Sequence, residues 1–82
     1  MAATNNPVLV VWEDAQIDTD YDGEAATAPG TVILHACGFL VRRNRKMVTL
    51  AMDMDPESGK FRFVFSIPAK MVRSITDLGA VS

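Results

Sequence analysis

The chain contains a single cysteine, Cys37, so it cannot form an intrachain disulfide, and its fold does not depend on an oxidising compartment. It also has one histidine, His35, two residues before that cysteine. A structural zinc site takes four ligands and a catalytic one three, so no metal site is expected from this pair within one chain. Nucleophilic catalysis by a Cys–His pair would also need a group to orient the base and an oxyanion site, and neither is visible. His35 and Cys37 are therefore read as core or interface residues. Bases are absent up to Val41, a stretch that carries six acids: Glu13, Asp14, Asp18, Asp20, Asp22 and Glu24. No apolar run is long enough to cross a bilayer, so no membrane partner is expected. The opening "MAATNNP" lacks the charged-then-apolar pattern of a secretory leader, and a cytoplasmic location is the expectation. Helical periodicity of useful length is missing too, as is any internal repeat.

What remains is an apolar, strand-rich sequence. Its 82 residues suffice for one small domain, taken as 1–82, yet 49% of them are hydrophobic. A core this small cannot absorb so much apolar surface, and self-assembly would use the surplus. "PVLVVWED" (7–14) is β-branched and aromatic and reads as a first strand. Residues 15–30 are acidic and small, close on Pro29-Gly30, and read as a long loop; residues 1–6 are expected to be disordered. "TVILHACGFLV" (31–41) is apolar on both faces, with Gly38 marking a bend or bulge. "RRNRK" (42–46) reads as a turn centred on Asn44, "MVTLAMDMD" (47–55) as a strand and "PESG" (56–59) as a hairpin loop. "KFRFVFSI" (60–67) alternates cleanly, which puts Phe61, Phe63, Phe65 and Ile67 on one inward face. Pro68 then breaks the chain, Ala69 and Lys70 turn it, and "MVRSITDL" reads as a last strand that crosses to the opposite edge. The expected fold is all-β, a small five-stranded SH3-like barrel.

Two charged stretches invite functional readings. "DTDYDG" places Asp18, Asp20 and Asp22 at positions 1, 3 and 5 of an EF-hand loop and Gly23 at position 6. Position 12, which should be a bidentate acid, is Pro29, and neither flank is helical. The three aspartates are thus only a weak candidate for a hard cation, and a solvated acidic loop is expected instead. "RRNRK" is the opposite case. From Arg42 onward there are eight bases against four acids, and four of those bases cluster here. Such a cluster binds phosphates through charge-assisted bonds and counterion release, or it blunts a sheet edge as a solvated turn. Asp53 and Asp55 are read as turn-favouring acids rather than an acid–base pair. Trp12 is read as a core or interface residue more than as a base-stacking one.

The succession "TVILHACGFLV", "KMVTLAMDMD", "FVFSIPAKMVRSI", over roughly residues 30–78, resembles the strand 2 to strand 5 progression of Sm and Sm-like proteins. It is also similar to small phage and ocean-metagenome proteins of that fold. The resemblance implies a ring of identical subunits that binds single-stranded RNA at its pore. It places the contacts in the loop after the second strand and in the break between the fourth and fifth. In this chain the first offers Arg42, Arg43, Asn44, Arg45 and Lys46, without the expected aspartate. The second offers Lys70, with Pro68 and Ala69 in place of an Arg-Gly element. The expectation is a non-catalytic, cofactor-free RNA-binding protein acting as a homo-oligomeric ring of about five to seven copies. The alternative is a structural or adaptor barrel, phage-encoded, whose partner is a protein. No catalytic residue is assigned.

Overall fold

A computed structural model describes residues 6–15, 23 and 30–80. Asp18, Asp20 and Asp22, the weak cation candidates, lie outside the described residues, as do positions 1–5. Asn6, the described member of the expected disordered stretch, donates its side-chain amide to the Asp77 carboxylate.

The fold is all-β. Its strands are β1 (Pro7–Ala15), β2 (Thr31–Arg43), β3 (Met47–Met54), β4 (Phe61–Pro68) and β5 (Val72–Asp77), with a short 3-10 turn, Ala69–Met71, before β5. They form one five-stranded sheet in the order β4-β3-β2-β1-β5, and each recorded pairing is antiparallel. β4 and β5 are therefore opposite edges, four strand spacings apart. Across a flat sheet that is about 19 Å. Three residues of 3-10 helix advance only about 6 Å. The sheet must curl for so short a link to join its two edges, and it does so at the end where β4 stops and β5 starts. The expected closure into a barrel goes no further than this. β4 pairs with β3 and β5 with β1, but no ladder joins β4 to β5.

The curl encloses one apolar cluster. Val8 and Val10 of β1, Val48 and Leu50 of β3, and Ile67 of β4 are buried, and Trp12, Ala36, Leu40, Val72 and Ile75 pack against them. Cross-strand partners explain the set: Val10 sits opposite Ala36 and Ile75, Leu50 opposite Leu40, and Val48 opposite Ile67. Burying a side chain such as Leu50 or Ile67 contributes about 1.5–3 kcal/mol. Gly38 lies where the backbones of β2 and β3 come close, since a Cβ there would sit 2.7 Å from the Ala51 carbonyl oxygen. Pairing of β2 with β3 begins one residue later, at Phe39↔Ala51.

Two expectations about side-chain facing need correction. Of the four residues assigned an inward face on β4, only Ile67 is buried, and Phe63 and Phe65 are 68% and 41% exposed. The curl covers the Ile67 end of the strand and leaves the hairpin end open. Phe63 also has φ +53, which breaks the even alternation from which the inward face was read. His35 and Cys37 are exposed, which overturns the core half of their core-or-interface reading. They lie on the half of β2 that β1 flanks, before the pairing with β3 begins.

Candidate nucleic-acid interface

The β2–β3 turn is built by Asn44. Its backbone N–H donates to the Met47 carbonyl at 3.0 Å. Its side-chain Oδ1 accepts the N–H groups of Lys46 at 2.8 Å and Met47 at 3.0 Å. Asparagine suits such a turn because its carboxamide mimics a backbone acceptor. Its oxygen is thereby used, and its Nδ2 is the part left to meet a ligand. Arg45 and Lys46 are exposed at the tip.

Arg42 and Arg43, expected in this turn, instead end β2. A register shift between Leu40 and Arg42 leaves Val41 without a β3 partner, a β-bulge. Beyond it Arg42 lies opposite Thr49 and Arg43 opposite the buried Val48. Neighbouring strand residues point to opposite faces, so the two arginines project to different sides, and the bulge sets which side each takes. Arg43 takes the side of the apolar core.

The second expected element stands against the first. The Ala69 N–H donates to the Lys46 carbonyl at 3.0 Å, which ties the 3-10 turn to the β2–β3 turn. Lys70, in that 3-10 turn, is exposed. The two segments read from the sequence as one surface are thus neighbours in space. Between them and β5 runs a cleft of about 260 Å³. Arg43, Asn44, Arg73 and Ser74 supply its polar lining, and Val48, Ala69, Val72 and Ile75 its apolar lining. A second cleft, about 310 Å³, is lined by Glu13, Asp14, Ala15, Thr31, Lys70, Met71 and Arg73.

Arg73 borders both clefts, and no sequence pattern marks it as a site residue. It sits inside an ordinary strand pattern, and only its basic character, three residues after Lys70, could have drawn notice. It is ion-paired with Glu13, whose other carboxylate oxygen accepts the Thr31 hydroxyl. Trp12 packs against the core, and its indole N–H is buried with no partner among the described residues.

The far end of the molecule differs in charge. Asp53 and Arg62 form a two-pronged ion pair at 2.8 and 2.9 Å across β3 and β4. The Arg62 hydrogen bond, with its charge, holds the Asp53 carboxyl below its ordinary range. Asp55 closes the hairpin turn by accepting the Glu57 N–H and the Ser58 hydroxyl, and these bonds lower its pKa as well. Both acids are structural turn and strand residues. Among the described residues no group of three or more His, Cys, Asp or Glu could hold a metal ion, and no helix is long and apolar enough to cross a membrane. No protein-family model matches the chain, and no curated protein or solved structure matches it.

Proposed function

We propose that this protein binds single-stranded RNA without catalysis, through the surface formed by the β2–β3 turn and the 3-10 turn before β5. The observation that carries the reading is the Ala69–Lys46 backbone bond. It draws Lys70 toward the exposed Arg45 and Lys46, with Asn44 in the same turn, Arg43 at its base on the cleft side and Arg42 at its base on the opposite face. Clustered cations on a rigid backbone bind phosphates by charge-assisted bonds and by releasing counterions. The fold we propose is a small SH3-like, Sm-like barrel left open along one side. In its favour stand the five strands, the glycine within β2 and the one-turn break before β5. The protein acts as a homo-oligomeric ring in which β4 of one copy pairs with β5 of the next. That contact is heterologous and closes only at a fixed copy number, about five to seven by resemblance. Among the described residues each edge strand has one side without a partner, and the β4 edge is apolar. A ring multiplies a weak single-site affinity for a flexible strand. The test is binding of an unstructured oligoribonucleotide across a salt series, because affinity through several phosphates falls steeply as salt rises.

One observation favours a second reading, an adaptor with a protein partner. Met52, Phe63 and Val64 are 71%, 68% and 56% exposed on and beside the edge strand β4. A contact made there would be apolar and nearly indifferent to salt, so the same titration separates the two.

A further inference from the structure

β5 carries a basic residue that the turn surface does not use. Arg73 is placed by an irregularity in the sheet. Down β5 the register with β1 is even from Val8↔Asp77 to Val11↔Ser74, and then it jumps to Trp12↔Val72. The jump leaves Arg73 with no β1 partner. A bulge of this kind re-aims the side chain it carries. Both arginines that line the cleft between the turn and β5 are therefore set by bulges: Arg43 by the one at Val41, Arg73 by its own. Ser74 and Asn44 add polar groups to the same cleft.

A guanidinium has five N–H donors in a fixed fork that matches a phosphate group. Arg73 uses one nitrogen, Nη2, on Glu13. Glu13 is held from its other side by Thr31 and its side chain is 24% exposed, while that of Arg73 is 62% exposed. The acid is the partner held from two sides, and the base is the more exposed one. An ion pair this open to water is a weak hold. A phosphate entering the cleft meets a guanidinium that is already positioned and only loosely taken.

We propose that Arg73 and Arg43 form a two-arginine clamp for one phosphodiester group of a single-stranded nucleic acid, and that Glu13 occupies Arg73 in the free protein and competes with that phosphate. The clamp rests on the nucleic-acid reading above and adds to it a residue on β5, with a built-in competitor on β1. Glu13 contributes opposing effects: it orients Arg73, and it places a negative charge beside the incoming anion. Replacing Glu13 by glutamine keeps the oxygen acceptor and removes the charge, which isolates the second effect.

The experiment measures fluorescence anisotropy of a labelled oligouridylate with the full chain, its Glu13→Gln, Arg73→Ala and Arg73→Lys variants, over a salt series. Circular dichroism reports folding. Glu13→Gln should bind several-fold tighter than the parent. Arg73→Ala should bind about tenfold weaker, and the slope of log affinity against log salt should shrink by about 0.7, the share of one single-strand phosphate contact. Arg73→Lys keeps the charge but not the fork, so it should hold the parent's slope and lose part of the affinity. That variant also serves if Arg73→Ala does not fold. If the parent binds while the Arg73 variants match it in affinity and slope, the clamp is overturned and the turn surface stands. If Glu13→Gln binds no tighter than the parent, the competition is overturned. A parent that binds no oligonucleotide at all overturns the underlying reading as well.

Discussion

At the scale of single residues, backbone geometry decides what can change. Gly38 faces the Ala51 carbonyl oxygen, a backbone atom that cannot rotate aside. Gly38→Ala should cost about 1–3 kcal/mol by urea denaturation, the usual cost of overpacking. Gly30→Ala, where a Cβ meets nothing within 4 Å among the described residues, should change stability by no more than about 0.5 kcal/mol. Asn44→Ala removes the acceptor of two backbone N–H groups and should cost about 1 kcal/mol in the same measurement. The special backbone position of Gly38 and the turn at Asn44 were both legible in the sequence, because each residue type has a specific conformational use. The bulges at Val41 and Arg73 were not. Neither carries a glycine or proline, and one extra residue in a strand leaves the local pattern intact while it reassigns every side chain beyond it. That is why the basic cluster was read as one turn, although Arg42 and Arg43 close a strand and face apart.

At the scale of elements, the β3–β4 hairpin is the piece whose chemistry is fully its own. Its two aspartates have depressed pKa values, Asp53 through Arg62 and Asp55 through the Glu57 N–H and the Ser58 hydroxyl. A carboxyl whose folded pKa lies below its unfolded one stabilises the fold above the unfolded value, 3.8 here, and loses that contribution as pH falls through the lowered value. Carboxyl chemical shifts followed by NMR should therefore give midpoints below 3.8 for both, and hairpin amides should lose exchange protection in acid. Asp53→Asn should remove the part of this acid sensitivity that runs through Arg62, since the charge that titrates is gone. The five strands were legible from their β-branched and alternating composition, and the crossing of the last to the opposite edge from the Pro68 break. The burial of β4 was not, because alternation tells which residues share a face but not how far along the strand the curled sheet covers it. Phe63 and Phe65 share a strand with Ile67 but lie farther from the closed end, and Phe63 also has φ +53, which no alternation pattern shows.

At the scale of the whole molecule, the open sheet leaves two edges and an apolar patch on one of them. Ring assembly through β4 and β5 predicts a single closed oligomer by light scattering at micromolar concentration. A Phe63→Glu/Val64→Lys double variant, altered only at exposed positions, should be a folded species of lower mass. A parent that stays monomeric contradicts the ring. The charge division of the chain was plain in the sequence. What folding adds is the Ala69–Lys46 bond that brings a residue at position 70 beside a turn at 44–46. The most direct test of that surface is anisotropy of a labelled, unstructured oligoribonucleotide titrated with the parent and with an Arg42→Ala/Arg43→Ala/Arg45→Ala/Lys46→Ala variant at rising salt. The parent should bind at low salt and weaken steeply, and the variant, still folded by circular dichroism, should not bind. A variant that binds as tightly as the parent would contradict the assignment of this surface to RNA.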